Sequence, residues 1–213
     1  MRSARLTPSP RAANVRAMDT RNPAAERSRL LAILLERSLR FGKFKLASGA
    51  ESDFYVDVRK TNLDPEGVRL VARLLADATG LGTENGPTAV GGPTLGADPM
   101  VTALGLEALA RGAHVECFLV RKEAKGHGTA SRIEGNLSPG ARVLLVDDVL
   151  TQGGSLASAA EAVRESGAAL AAFGCVVDRE AGGRERLGQS TIPVHALYTL
   201  AEILKTAGRP LPS

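Results

Sequence analysis

Two adjacent carboxylates, Asp147 and Asp148, close the apolar run VLLV and are followed, after Val149 and Leu150, by TQGGS. VLLV reads as a buried strand, with the acids at its carboxyl end and a helix starting near Ser155 or Leu156. A glycine-rich turn into a helix presents backbone N–H groups and a positive dipole end to an anion such as a phosphate. Gly153 and Gly154 let the backbone come close, and Thr151 and Ser155 add hydroxyl donors. The acids would repel that anion. They suit sugar hydroxyls, a cation or a developing positive charge instead. An isolated pair of acids is usually a helix cap beside a solvated side chain. Here strand, acids, glycine turn and helix occur together, at the strand end where open α/β sheets bind ligands.

A second chemical segment is RKEAKGHGTASRIEGNLSPG, residues 121–140. It carries Arg121, Lys122, Lys125, His127 and Arg132, with Gly126 and Gly128 as flexible points. It has no apolar periodicity, and structureless loops of this length in compact domains are usually functional or disordered. Cations between flexible glycines suit a mobile anion-binding lid better than a solvated excursion. The phosphate loop of nucleotide triphosphatases, GxxxxGK[ST], is absent, as is a GxGxxG turn after a strand.

These segments need a scaffold. Residues 24–40 read as an amphipathic helix, with Leu31, Leu34, Leu35 and Leu39 near one face. Phe54, Val56 and Val58 alternate with polar neighbours, so residues 43–58 read as a hairpin or meander. Pro65 opens a helix that ends at Gly80. Short apolar strands then alternate with helices: PTAVGG, HVECFLV, ARVLLVDD, LAAFGCVV and a last strand and helix in PVHALYTLAEILKTAG. That alternation predicts a mostly parallel sheet covered on both faces.

The chain has 213 residues, 44% hydrophobic and 23% charged, with no Trp and few aromatics. Length and composition suit one aliphatic-cored domain. Scarce aromatics argue against stacking on single-stranded nucleic acid. The net charge of +4 is carried by residues 1–21, where five arginines face only Asp19. The remainder holds 22 basic and 22 acidic residues, so the body is no polycation and no nucleic-acid partner is expected. Residues 1–22 read as a disordered basic extension upstream of a start near Met18, with a transit peptide as the alternative. No apolar run is long enough to cross a membrane. Cys117 and Cys175 sit in apolar runs and read as two buried thiols, which suits the cytoplasm.

Val143–Ser155 resembles the signature of the type I phosphoribosyltransferases: an apolar strand, two acids and a glycine-rich loop. RKEAKGHG (121–128), KLASGAESDFYVDVRK (45–60) and VVDRE (176–180) are similar to the orotate phosphoribosyltransferases, and the likeness runs over roughly residues 28–205. The resemblance implies an α/β fold with a central mostly parallel sheet and flanking helices. It adds a small hood from about residues 23–64 and the C-terminal end, within a single domain at 23–213. The implied reaction moves the phosphoribosyl group of phosphoribosyl pyrophosphate (PRPP) to orotate, with Mg²⁺ held mainly by substrate and no direct protein ligand. The implied assembly is a homodimer whose lids cross to the partner's site.

By the same resemblance Lys125, His127, Asp147 and Asp148 are catalytic. PRPP would be held by Arg121, Lys122, Lys125 and His127 on the lid. On the loop it would be held by Asp147 and Asp148, then Val149, Leu150, Thr151 and Gln152, then Gly153, Gly154 and Ser155. Orotate would meet Phe54, Tyr55, Thr151 and Arg179, whose fork suits a carboxylate. The chain departs from the family pattern twice: Ala47 and the Thr94-Leu95 pair stand where many members have pyrophosphate-binding lysines. Arg59 or Lys60 could compensate. A purine phosphoribosyltransferase and a PRPP-sensing regulator are the alternative readings.

Overall fold

A computed structural model of the chain describes residues 21–45, 51–123, 131–188 and 191–209. Helix α1 (Pro23–Ile33) starts with Asn22, whose side chain accepts from the Ala25 N–H, and with proline in its first turn. A π-helical turn, Leu34–Ser38, leads directly into strand β1 (Leu39–Lys45). The helix therefore ends earlier than its leucine spacing suggested, and the hairpin begins earlier. Leu39 and Arg40 are taken by antiparallel pairing with Val56 and Tyr55 of β2 (Glu51–Val56). Of the four leucines read onto one face, Leu34 and Leu39 are buried and Leu31 and Leu35 half-buried, while Leu30 and Ile33 complete the buried face. Val58 lies beyond the strand, buried ahead of the short helix α2 (Arg59–Asn62).

Two residues of the segment read as a disordered extension, Arg21 and Asn22, are among the described residues. Arg21 forms ion pairs with Glu26 at 2.8 Å and Asp77 at 2.9 Å. With Asn22 capping α1, residues 21 and 22 belong to the folded body. Helix α3 (Pro65–Thr79) matches its reading: Asp64 caps Gly67 N–H at 2.9 Å, and Gly80 ends it at φ 66°.

The central sheet contains β3 (Ala89–Pro93), β4 (Glu116–Val120), β5 (Ile133–Gly135), β6 (Arg142–Leu150), β7 (Ala169–Asp178) and β8 (Val194–Thr199). Their order is β5-β4-β3-β6-β7-β8, parallel at each step except β4–β5. Four more helices complete the fold: α4 (Asp98–Ala110), α5 (Gly154–Glu165), α6 (Gly183–Gly188) and α7 (Leu200–Thr206). The two-residue period of β6 divides the interior. Leu144 and Val146 join a core with residues of α1, α3, α4 and α7, while Val143 and Leu145 join a core with α5. This is the expected mostly parallel sheet with helices on both faces.

Strand β5, helix α6 and the short helix α2 escaped the sequence. Strand β5 lies inside the polar segment 121–140, because edge pairing needs backbone groups rather than apolar side chains. Helix α6 is too short for a periodic signal. Among the thiols, Cys175 is buried but Cys117 is only half-buried, and both are free. No helix among the described residues is long and apolar enough to cross a membrane.

Candidate active site

Strand β6 continues through Asp147 and Asp148 to Leu150, with Asp147 opposite Cys175 and Val149 opposite Val177 on either side of Asp148. The chain then turns through Thr151–Gly153, with Gly153 at φ 72°, a conformation that favours glycine. Helix α5 follows without a side-chain cap, whereas Asn22, Asp64 and Thr199 cap α1, α3 and α7. Its first N–H groups are thus free of a side-chain acceptor, as an anion site requires. A Cβ on Gly153 would stand 3.1 Å from the Gly183 carbonyl, and one on Gly183 would stand 2.5 Å from the Thr151 carbonyl. The turn is therefore buttressed by the start of α6.

Burial raises the cost of ionising both acids. Asp147 accepts the Asp148 N–H at 2.9 Å. Burial, reinforced by the neighbouring Asp148 charge, pushes the Asp147 carboxyl up to about 8. Burial also raises Asp148, against the hydrogen bond from Asp147 and the positive charge of Arg59. The loop after β3 crosses tightly over this pair. A Cβ on Gly96 would lie 2.5 Å from Asp148 Oδ1 and 2.9 Å from Asp147 Oδ1. The Thr94–Leu95 peptide in that loop is cis. Strands β3 and β6 are adjacent, and the chain leaves them in opposite directions across the sheet. The acids thus sit at the topological switch point, where such sheets bind ligands.

Two clefts meet at Asp147. The larger, about 920 Å³, brings together Phe54, Tyr55, Asp147, Val149, Leu150 and the whole turn Thr151, Gln152, Gly153, Gly154 and Ser155, with Arg179 on its wall. The smaller, about 390 Å³, holds Asp147, Asp148, Asp57, Arg59, Gly96 and the Thr94–Leu95 pair. Phe54 is buried in the core, and Tyr55 is exposed with its ring 5.7 Å from that of Phe44.

Arg179 follows the end of β7 and is held by its backbone, its N–H donating to the Leu150 carbonyl at 2.8 Å. The buried carboxylate of Asp178 accepts from the Glu180 N–H at 2.8 Å and from the Arg184 guanidinium. Glu180, at φ 55°, accepts in turn from the Ala201 N–H at 3.1 Å. This network fixes the turn that presents Arg179. Sequence reading had not singled out Lys45, Ser52, Gly96, Asp178 or Gly183. Lys45, Ser52 and Asp178 stand inside segments already matched to a family, which was the available signal. Gly96 and Gly183 gave none, because only packing reveals a close approach.

The segment read as a lid is described at its two ends, 121–123 and 131–140. Its neck is closed by Arg121 N–H donating to the Arg132 carbonyl at 2.8 Å, just beyond the β4–β5 pairing. Arg132 had been counted among the lid cations, but it is a strut. It donates to the Arg121 carbonyl and to the Ser158 carbonyl and hydroxyl of α5, all at 3.0 Å. Arg121 and Lys122 are exposed and line neither cleft, and Arg121 pairs with Glu134 at 3.2 Å. Lys125, His127 and Ala47 lie outside the described residues.

A parallel sheet with an acid pair and an uncapped glycine turn at its switch point defines a phosphate-handling α/β enzyme. The phosphoribosyl transferase domain matches residues 61–191, and the chain belongs to that family. It is 42% identical over 182 residues to a protein of Aquifex aeolicus named orotate phosphoribosyltransferase, a match covering 84% of this chain and 98% of the relative. The orotate phosphoribosyltransferase structure of Mycobacterium tuberculosis in complex with Fe(III) dicitrate superposes with a TM-score of 0.74 at 35% identity. The match covers 84% of this chain and 98% of that one. The same Mycobacterium tuberculosis enzyme in complex with PRPP superposes at 0.70 and 32% identity over the same shares.

Proposed function

We propose that this enzyme transfers the 5-phosphoribosyl group of PRPP to orotate, forming orotidine 5′-phosphate and pyrophosphate in pyrimidine synthesis. One observation carries the choice of base. Arg179 faces the same cleft as the glycine turn and Asp147, and among the described residues its side chain makes no ion pair. A guanidinium left open beside a sugar-phosphate seat suits a planar carboxylate. A purine has no carboxylate to meet it.

The chemistry then divides by place. The 5′-phosphate sits on the turn Thr151–Ser155 and the first N–H groups of α5. Asp147 and Asp148 hold the ribose hydroxyls and favour positive charge on the ring. A ring nitrogen of orotate attacks the anomeric carbon and gives up its proton as the bond to pyrophosphate breaks, and the pyrophosphate oxygen keeps the electron pair. Lid cations neutralise that charge, and Lys125 or His127 can supply a proton. Phe54 and Tyr55 wall the base, and Thr151 and Arg179 anchor it.

Magnesium would neutralise the pyrophosphate oxygens. The ion would be held mainly by substrate oxygens, because Asp147 and Asp148 are engaged with the ribose hydroxyls. No group of three or more His, Cys, Asp or Glu among the described residues could hold the ion alone. Arg121 and Lys122 lie outside this chain's own clefts, which supports a homodimer whose lids serve the partner's site. The free thiols suit a cytoplasmic enzyme.

Loss of orotate absorbance on adding PRPP and Mg²⁺ tests the reaction. Turnover with a purine but not with orotate would sink the choice of base. PRPP binding without turnover of any base would favour a sensor.

A further inference from the structure

The smaller cleft poses an electrostatic problem. Asp57, Asp147 and Asp148 all line it, yet the reading above seats a polyanionic pyrophosphate beside them. The family's usual lysines are absent: Leu95 occupies one position, 72% exposed, and Ala47 the other. Among the described residues lining this cleft, Arg59 is the only cation. Lys60 is exposed and does not line it.

Arg59 is also oriented. Asp57 accepts from its Nε at 2.8 Å and from one terminal nitrogen at 3.2 Å. That two-point grip sets the guanidinium plane. It leaves the other terminal nitrogen, with two hydrogens, uncommitted among the described residues. The backbone beneath is firm, because Val58, Thr61 and Asn62 are buried on either side of it, and the Asp57 N–H donates to the Ser38 carbonyl at 3.0 Å. A planar, pre-oriented donor beside an anion seat is what phosphate oxygens take best.

We propose that Arg59, positioned by Asp57, is the pyrophosphate-binding cation of this chain, replacing the lysines missing at positions 47 and 95. The inference rests on the smaller cleft being the pyrophosphate seat. It makes Arg59 a residue that recognises PRPP and releases pyrophosphate but does not touch the base.

The test is calorimetric binding of magnesium pyrophosphate to the full chain, beside steady-state kinetics. Arg59→Ala should weaken pyrophosphate binding about tenfold or more and raise the KM for PRPP by a similar factor. The KM for orotate should be unchanged. Arg59→Lys should recover only part of the loss, because an ammonium cannot fork. Asp57→Asn should fall between wild type and Arg59→Ala, and Lys60→Ala should match wild type. Wild-type pyrophosphate affinity in Arg59→Ala, or a loss in Lys60→Ala instead, would overturn the assignment. So would the absence of pyrophosphate binding by the unchanged protein. If pyrophosphate binding follows Arg59 while orotate is not turned over, the base assignment fails and the Arg59 assignment stands.

Discussion

Arg179 and Asp147 do opposite jobs with charge. Arg179 keeps a cation open in the base cleft, so its removal should act on one substrate. Arg179→Ala is expected to raise the KM for orotate about tenfold or more, with the KM for PRPP nearly unchanged. Arg179→Lys should restore less than half of that loss, since it cannot pair bidentately. Equal effects on both substrates in the steady-state assay would remove Arg179 from the base site.

Asp147 keeps a proton that an exposed carboxyl would have lost, because burial and Asp148 disfavour its charge. The sign of the pH dependence follows. Between the ordinary carboxylate value and about 8, the unfolded chain is ionised at this position while the folded chain holds the proton. Stability therefore falls as pH rises across that window. Asp147→Asn should raise the melting temperature at neutral pH, and the gain should vanish below pH about 4. In the intact enzyme the pair must ionise to favour a cationic ring, so kcat/KM should climb with pH towards the alkaline side. A flat profile from pH 6 to 9, roughly the span in which such a group titrates, would mean the pair is not required in its ionised form.

At the scale of elements, the glycine turn and the Arg179 turn depend on each other through packing. Gly153→Ala places a side chain at positive φ and 3.1 Å from the Gly183 carbonyl. It should cost about 1–3 kcal/mol of stability, read by urea unfolding, and weaken PRPP binding more than orotate binding. Asp178→Ala strips the acceptor from both the Glu180 N–H and Arg184. Freeing the turn should raise the KM for orotate while the substrate affinity of the phosphate turn holds. An unchanged KM for orotate would show that Arg179 needs no such support. Strands and long helices were legible in the sequence because apolar residues recur at the period of each element. The boundary near Leu39 was not, because helix and strand both wanted its buried side chain, and only pairing with Val56 chose the strand. Arg132 was misread for a related reason. A sequence shows a charge but not the Ser158 carbonyl and hydroxyl that occupy it.

For the whole molecule, the sheet brings residues from positions 45 to 200 around one acid pair. Arg121 and Lys122, at the described start of the proposed lid, lie outside both clefts. If lids serve the partner's site, mixing inactive Lys125→Ala protein with inactive Asp147→Ala protein should regain up to about a quarter of the activity, the share expected from random pairing of subunits. No recovery after subunit exchange would place the lid over its own site. The sequence alone determined the β/α alternation, the strand–acids–glycine loop and the placement of excess charge in residues 1–21, because each is written in the period or spacing of neighbouring residues. Only the tertiary structure decided that Gly96 presses on the acid pair, that Asp178 braces the turn of Arg179, and that Arg59 rather than Lys60 faces the smaller cleft. Those relations join segments far apart in the chain or turn on which way a side chain faces, and packing sets them rather than local propensity.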